Sequence, residues 1–381
     1  MKSSSEWTRR WVTIVDPSLG VTGAFKAACN ISRHSRDWAD SFLVLSDRST
    51  IGREHLTTFA HVDRIAMAIP QKTLRSFISY FPTALTGAVR MKNITHIWNS
   101  DSIILNDIYL LHAPFLKVLG YRGRIITWVR LDYTRYPKWL ARLWLEIASR
   151  YSDEIVAVSD FIMRKLVADG LKARKIYDPI QPDLFRTTGP LGSSPHAVMI
   201  ANYTHSKGQM DALEAFARAA RHVPDACLSF FGGDLGLRKN REFRTQLEQR
   251  SAELGLSERV RFSAFCDDVS KCYADARVAL VLSESESFSL TCLEACQVGV
   301  PVIAYRSGGP EEIVQDGRTG YLCALGQVDE VAARLRQLLE NRELAATLGS
   351  AASRRVAVAF STNRYARAMR DLIDVAKTQI G

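Results

Sequence analysis

Residues 283–322 read SESESFSLTCLEACQVGVPVIAYRSGGPEEIVQDGRTGYL and carry the densest pattern in the chain. A buried apolar strand is predicted to end at Leu282, and a helix is predicted to start near Ser289 after a short loop. A second buried strand is predicted from Val300 to Ala304. Strand, loop, helix and strand in this order are typical of the unit from which parallel α/β sheets are built.

Two glutamates in this stretch, Glu286 and Glu294, are eight residues apart. Glu286 falls in the predicted loop, and Glu294 lies more than one turn into the predicted helix. The helix start near Ser289 and Leu290 presents backbone N–H groups and a partial positive charge, which favour a phosphate. One carboxylate can then accept hydrogen bonds from sugar hydroxyls beside that phosphate, while the other reaches a ribose. Taken alone, two glutamates at this spacing are more typical of an acidic surface.

Outside this stretch, short β-branched runs alternate with helical patterns along the whole chain, which predicts parallel βαβ units. Pro, Gly, Ser and Thr are concentrated between Gln181 and Pro195, and this composition is typical of a linker. The predicted strands are Trp11–Val15, Ser41–Ser46, His96–Trp98, Arg124–Trp128, Glu154–Val158, Ala197–Ala201, Ala226–Phe231, Val260–Ser263, Val278–Leu282 and Val300–Ala304. The predicted helices include Ala24–His34, Lys72–Val89, Leu105–Leu119, Pro137–Tyr151 and Lys207–Arg221.

The bulk composition indicates a two-domain globular protein. The chain has 381 residues, and domains commonly contain about 100–200 residues. An apolar run long enough to span a membrane is absent, and the first eleven residues lack the apolar core of a signal peptide. The seven cysteines are scattered and odd in number, which is typical of reduced thiols in a cytoplasm.

Charge is distributed unevenly along the chain. Residues 71–150 contain 12 Lys or Arg against 4 Asp or Glu, within a chain of net charge +10. All seven tryptophans lie between Trp7 and Trp144. A basic, aromatic surface suits an anionic partner such as a phosphorylated lipid, a membrane face or nucleic acid. A solvated basic face beside a Trp-rich core explains the same composition equally well.

The linked motifs of the second half resemble those of family 4 of the retaining glycosyltransferases. The family signature places two glutamates, here Glu286 and Glu294, before a strand that reads Gly299–Ala304 in this chain. A G-G-x-x-E turn and a D-G-x-T-G ending follow, here Gly308–Glu312 and Asp316–Gly320. The resemblance implies a GT-B fold, with two Rossmann-like doubly wound parallel-sheet domains facing a central cleft.

The same resemblance implies that the two domains bind different substrates. Residues 1–187 are expected to bind the acceptor, and residues 188–360 the nucleotide sugar. Residues 361–381 are expected to form a helix that crosses back to the first domain. Lys207, in the family's K-G pair, is expected to hold the donor diphosphate. Asn202 stands where the family usually has an arginine, which removes one positive charge from that site.

Further donor-binding residues follow from the resemblance. Gly233 belongs to a strand-to-glycine turn, and Phe265 and Cys266 fall in a segment that borders the nucleobase in the family. Gly20 and Gly23 lie in a loop similar to the family's glycine loop, where a bare backbone allows close approach. Around the predicted helix start, the expected donor contacts are Glu286, Phe288, Ser289, Leu290 and Glu294.

The first domain departs from the family at the donor-sugar histidine. No histidine follows the strand Arg124–Trp128, and Arg130 or Asp132 is expected to occupy its place in the catalytic set with Lys207 and Glu286. A simple ion pair is the competing interpretation of these two residues. His112 falls on an apolar helical pattern and is expected to be a core residue.

The resemblance implies a retaining glycosyltransferase that moves a sugar from a nucleotide-diphosphate sugar to an acceptor hydroxyl. No cofactor or metal is expected, because Asp267 and Asp268 are adjacent rather than spaced as a metal-binding pair. A sugar-nucleotide epimerase of the same fold and a non-catalytic sugar-nucleotide binder remain alternatives. The expected acceptor is a lipopolysaccharide or lipid-linked glycan, reached at the inner face of the cytoplasmic membrane. An anionic membrane surface is a further expected partner and nucleic acid is not, while the oligomeric state is left open.

Overall fold

The chain forms two compact units in a computed structural model that describes residues 9–67, 79–181, 184, 194–266 and 268–374. The first unit contains Met1–Asp178 and Asn363–Gly381, and the second contains Pro179–Thr362. No helix among the described residues is long and apolar enough to cross a membrane.

The core of the first unit is a parallel sheet. Its strands are Arg10–Asp16 (β1), Ala39–Ser46 (β2), His61–Ile65 (β3), Ser102–Leu105 (β4), Arg124–Val129 (β5), Glu154–Ala157 (β6) and Arg174–Lys175 (β7). They are ordered β3-β2-β1-β4-β5-β6-β7, and every pairing is parallel. The central strands are apolar and almost fully buried, as expected when helices cover both faces of a sheet.

Helices connect these strands. They are Gly23–Ser35 (α1), Tyr80–Lys92 (α2), Thr95–Trp98 (α3), His112–Val118 (α4), Lys138–Tyr151 (α5) and Asp160–Ala168 (α6). Helix α1 begins where the Thr22 hydroxyl accepts a hydrogen bond from the amide of Phe25, and Ser159 caps α6 in the same way.

The second unit repeats this architecture. Its strands are His196–Ile200 (β8), Cys227–Phe231 (β9), Val260–Ser263 (β10), Val278–Val281 (β11), Val302–Tyr305 (β12) and Gly320–Cys323 (β13). They form a parallel sheet ordered β10-β9-β8-β11-β12-β13. The helices are Gln209–Ala219 (α7), Arg238–Glu253 (α8), Val269–Tyr273 (α9), Leu290–Gln297 (α10), Pro310–Ile313 (α11), Val328–Glu340 (α12) and Arg342–Ala359 (α13). Two Rossmann-like parallel-sheet domains were predicted, and this prediction is confirmed.

The last described helix, Thr362–Asp374 (α14), packs within the first unit. Asp374 pairs with Arg10 of β1 at 3.4 Å, and the ring of Tyr365 lies edge-on to His34 of α1 at 5.4 Å between centroids. The end of the chain therefore completes the unit in which the chain began.

Two sequence predictions in the first unit are wrong. The segment predicted as strand His96–Trp98 is helix α3, and the true strand β4 lies a few residues later. The predicted helix Leu105–Leu119 is shorter, because Leu105 ends β4 and the helix begins at His112. Both errors have one cause: a short segment with few apolar residues suits a strand or a buried helix equally well. Residues 72–78 of the predicted helix Lys72–Val89 lie outside the described residues, and the described helix α2 ends at Lys92.

Each sheet has one point at which the strand order reverses direction. It lies between β1 and β4 in the first sheet and between β8 and β11 in the second. Open α/β sheets bind ligands outside the carboxyl ends of the strands at such switch points. The loops after these four strands are therefore the places to look for a site.

Candidate active site

The loops that follow β8 and β11 touch at the switch point of the second sheet. The amide of Glu284 donates to the carbonyl of Ser206 at 3.0 Å. Gly208 has φ of +77°, and a Cβ at this position would lie 2.0 Å from the carbonyl oxygen of Leu282. Only glycine combines this backbone conformation with such a close approach.

This contact brings Lys207 and Glu286 together. The Lys207 Nζ donates to Glu286 Oε1 at 2.6 Å, and the two side chains are 34% and 14% exposed. The Glu286 backbone is fixed on the other side, because its amide donates to the Ser307 carbonyl and its carbonyl accepts from the Gly309 amide. The ion pair therefore lies on a loop held by backbone hydrogen bonds, and it is partly exposed to solvent.

The double glycine of the motif is explained by packing. Gly308 has φ of +113°, and a Cβ on Gly309 would lie 2.2 Å from the carbonyl oxygen of Phe288. Phe288 itself is buried and packs edge-on against Phe360, with ring centroids 5.5 Å apart. Gly309 thus allows the turn to seat against the loop that carries Glu286.

Helix α10 begins next to this loop. Ser289 has φ of +84°, a left-handed conformation that is strained for a residue with a side chain, and its hydroxyl accepts from the amide of Cys292. Strain of this kind is often found at functional sites. The amides of Leu290 and Thr291 belong to the first helical turn, whose N–H groups have no carbonyl partner within the helix.

Glu294 lies in the interior of α10. Its side chain is 2% exposed, and its Oε1 accepts from the Gln181 Nε2 at 2.8 Å. The amide of Gln181 also donates to the Gln297 side chain at 2.9 Å. Gln181 was missed by sequence reasoning, because it falls at the start of the segment interpreted as a linker.

Asn202 holds the glycine turn after β9. Its Oδ1 accepts from the amide of Gly233 at 3.2 Å, and a Cβ on Gly232 would lie 2.0 Å from the carbonyl oxygen of Ala201. Phe265 lies beside the same turn and is 40% exposed. Asn202, Gly233 and Phe265 are therefore brought together. The Cys266 thiol points instead at the carbonyl of Asp268, at 3.2 Å, and Asp267 lies outside the described residues.

Arg130, in the first unit, lies in a buried ion pair. Its guanidinium pairs with Asp178 at 2.9 Å, with the two side chains only 6% and 4% exposed. It also donates to Asn106 at 2.6 Å and lies over the ring of Trp128, 4.4 Å from the centroid. Burial raises the pKa of Asp178 above its ordinary value, although Arg130 opposes the shift.

Two further buried carboxylates line the strand ends of the first sheet. One carboxylate oxygen of Asp107 accepts from the amides of Ile108, Arg130 and Leu131, and burial raises the pKa of Asp107 to about 7. Asp16, which accepts from the side chain of Asn106, also has its pKa raised by burial. Sequence reasoning missed both residues. The pair Asn106–Asp107 directly after β4 was the available signal, and it was hidden by the incorrect helix from Leu105.

The remaining predicted site residues of the first unit are Asp132, Gly20 and Gly23. Asp132 pairs with Lys165 at 2.7 Å and caps a short helical turn by accepting from the amide of Thr134. Gly23 is the first residue of α1, and the space around a Cβ on Gly20 is open. His112 is buried in the core, as predicted. Burial lowers its pKa to about 4, and its ring nitrogens have no hydrogen-bond partner among the described residues.

Comparisons with known proteins identify the family and the fold. The sequence pattern of the family described as glycosyl transferases group 1 matches residues 181–355. The N-acetyl-alpha-D-glucosaminyl L-malate synthase of Bacillus anthracis is 32% identical over 309 residues, which cover 76% of this chain and 78% of that enzyme. A GDP-mannose-dependent alpha-(1-6)-phosphatidylinositol monomannoside mannosyltransferase of Mycolicibacterium smegmatis is 30% identical over 183 residues, 46% of each chain.

Among solved structures, Anabaena Alr3699/HepE in complex with UDP and glucose is similar across the whole chain. It superposes with a TM-score of 0.81 at 19% identity and covers 96% of this chain and 100% of its own. At this identity the similarity concerns the fold. The predicted GT-B fold class is thereby confirmed.

Proposed function

The chain belongs to the group 1 glycosyl transferases, and on this premise we propose that it is a retaining enzyme that transfers a sugar from a nucleotide-diphosphate sugar to an acceptor hydroxyl. The observation that carries the proposal is the contact between Lys207 and Glu286 at the switch point of the second sheet. A cation and a carboxylate side by side suit a ligand that has a phosphate next to a hydroxyl-rich sugar. Relatives named for GDP-mannose and a neighbour bound to UDP and glucose support a donor of this class.

The donor diphosphate is held by Lys207 and by the first amides of α10, at Ser289 and Leu290. Backbone amides at a helix start attract a phosphate because they supply both hydrogen-bond donors and a partial positive charge. Glu286 accepts hydrogen bonds from hydroxyls of the transferred sugar. Glu294, from the interior of α10, accepts from the ribose, and the turn at Gly233 and Phe265 borders the nucleobase.

The transfer proceeds as a front-face displacement. The bond between the anomeric carbon and the donor phosphate oxygen breaks, and a bond from that carbon to the acceptor oxygen forms on the same face. The acceptor proton passes to the departing phosphate. Lys207 and the α10 amides stabilise the negative charge that develops on that phosphate, which is an electrostatic contribution to catalysis. The positive charge comes from the protein, so no divalent metal is required.

The acceptor is proposed to be a lipid-linked or lipopolysaccharide glycan, approached from a cytoplasmic membrane face. The name of the mycobacterial relative includes a phosphatidylinositol acceptor, which supports this choice. One solvent-exposed face of α5 carries Lys138, Trp139, Arg142 and Arg150, of which Arg150 is paired with Glu146 at 3.9 Å. Basic side chains attract anionic headgroups at about 1 kcal/mol each, and exposed Trp favours the interface. Trp128, Tyr133 and Trp144 are buried, so they belong to the core rather than to this surface.

A panel of nucleotide sugars, each incubated with the enzyme and with either L-malate or a lipid-linked glycan, tests the proposed reaction. A glycosylated acceptor with unchanged anomeric configuration is expected. An epimerised donor would establish the epimerase alternative, and binding without turnover for every acceptor would establish the non-catalytic alternative. Transfer to malate alone would overturn the proposed acceptor class.

Liposome co-sedimentation tests the membrane partner. Binding to anionic vesicles at low salt and release at high salt are expected, because exposed charges are screened by salt. Arg135 is exposed just before α5 and adds a basic side chain next to Lys138. The double variant Arg135→Glu with Lys138→Glu should lose this binding and keep donor affinity. Equal, negligible binding to anionic and neutral vesicles would remove the membrane from the proposal.

A further inference from the structure

A cluster of two histidines and an aspartate lies on the edge strand of the first sheet. His61 and Asp63 are two residues apart on β3, so their side chains lie on the same face of the strand. His96, from the short helix α3, lies over that face. One ligand atom from each of the three residues lies within 4.8 Å of the others.

Both histidines of the cluster face the carboxylate of Asp63. The Nε2 of His96 is 2.7 Å from one carboxylate oxygen of Asp63, and the Nε2 of His61 is 3.7 Å from the other. Ligand atoms around a tetrahedral Zn²⁺ with bonds of about 2.0–2.1 Å are about 3.3 Å apart. The contact between His96 and Asp63, at 2.7 Å, is shorter than this ligand spacing, and the contact between His61 and Asp63, at 3.7 Å, is longer. Binding of the ion would replace the contact between His96 and Asp63 and would require rotation of the side chains.

The ring of His96 packs against two other rings. Its imidazole lies on the ring of Phe42, with centroids 4.8 Å apart, and Phe42 is the register partner of His61 on the neighbouring strand. The imidazoles of His61 and His96 meet edge to face at 4.7 Å. Preorganised ligands of this kind lower the cost of assembling a metal site.

We propose that His61, Asp63 and His96 bind a divalent transition metal, with Zn²⁺ as the preferred ion and water as the fourth ligand. Two imidazoles and one carboxylate suit Zn²⁺ and disfavour Mg²⁺ and Ca²⁺, which require oxygen ligands. His61 is 58% exposed, so the ion has an entry path from solvent. The site links β3 to α3 and lies in the unit that does not contain Lys207 and Glu286. The proposal is independent of the proposed transfer reaction.

Calorimetric titration of the full chain with ZnCl₂ tests the proposal. A saturable single-site heat is expected, and MgCl₂ should give none. His61→Ala and Asp63→Asn should each weaken zinc affinity on the order of 100-fold, because even partners of ligands contribute about 10–100-fold. His222→Ala, which removes an exposed histidine of the second unit, is the matched control and should bind zinc as the parent does.

Two further measurements keep the result interpretable. Tryptophan fluorescence verifies that His61→Ala is folded, and Co²⁺ binding gives the visible absorption of a tetrahedral site in the parent but not in the variant. Glycosyl transfer by His61→Ala is expected to equal that of the parent. Equal zinc affinity in the parent and in both ligand variants, or the absence of saturable binding, would overturn the proposal.

Discussion

The two sheets share one strand order, apart from a seventh strand in the first sheet. The charged pairs near their strand ends differ in burial. In the second sheet, Lys207 and Glu286 form a pair that is partly exposed and held on loops packed through glycines. In the first sheet, Arg130 and Asp178 are buried and joined to Asn106 in an internal network. A ligand can exchange hydrogen bonds with the first pair at little cost, whereas the second pair must be kept intact because a lone buried charge is expensive. Charged pairs near the strand ends of the two sheets thus differ in burial, and the proposed roles differ accordingly: ligand binding in the second unit and stability in the first.

The largest effect expected from this comparison is on stability. Arg130→Ala leaves the Asp178 carboxylate buried without its partner, which should cost about 3–5 kcal/mol of unfolding free energy. All seven tryptophans lie in the first unit, so tryptophan fluorescence during denaturation reports on that unit. The exposed Arg122→Ala is the matched control. Equal unfolding midpoints for the two variants would show that the Arg130 network is not structural.

Lys207→Ala should show the opposite behaviour. Loss of a partly exposed ion pair costs about 0–1 kcal/mol of stability. Loss of a group that stabilises the departing phosphate should lower kcat about 100- to 1000-fold, or about 2.7–4 kcal/mol. Steady-state kinetics with the exposed Lys239→Ala as control measures this. A stable variant with unchanged kcat would remove Lys207 from the transfer step.

Glu294→Gln tests the deeper carboxylate of the site. The substitution keeps the shape of the side chain and a carbonyl oxygen that can accept from Gln181, but it removes one charged acceptor for the ribose. Donor affinity should fall by about 1.5–3 kcal/mol. Calorimetry on the nucleoside diphosphate measures the loss, with the exposed Glu258→Gln as control. Donor affinity equal to that of the parent would contradict the ribose contact.

Glu286→Gln should lower turnover without changing the affinity for nucleoside diphosphate. Its inferred contact is to the transferred sugar, so turnover should fall about tenfold, which corresponds to about 1.4 kcal/mol. The affinity for free nucleoside diphosphate should stay unchanged in calorimetry. A parallel loss of nucleoside diphosphate affinity would place Glu286 at the phosphates instead.

A chelator should have the smallest effect. Transfer activity is expected to persist in EDTA, because Lys207 and the α10 amides are proposed to supply the positive charge at the leaving group. Parallel assays on the parent and on His61→Ala distinguish a catalytic metal from the proposed zinc site. Complete loss of transfer in both proteins, restored by magnesium or manganese, would contradict metal independence.

Much of the second unit was predictable because its signals are local. The strand, the helix start and the glycines between 283 and 322 act over a few residues, and the predicted helix start near Ser289 agrees with α10. The first unit was less predictable for the same reason. Its short apolar runs near His96 and Leu105 fit a helix or a strand equally well when neighbouring residues alone are considered. The structure shows a helix at the first and a strand at the second.

The sequence by itself determined the alternation of strands and helices, the glycine turns, and the presence of Glu286, Glu294 and Lys207 in loops or helices after strands. Only the tertiary structure decided which charges meet. Lys207 and Glu286 are 79 residues apart, and Arg130 and Asp178 are 48 apart. Backbone conformation depends mainly on neighbouring residues, so sequence patterns encode it. The pairing and burial of charges depend on strand order and packing, which place segments distant in sequence side by side.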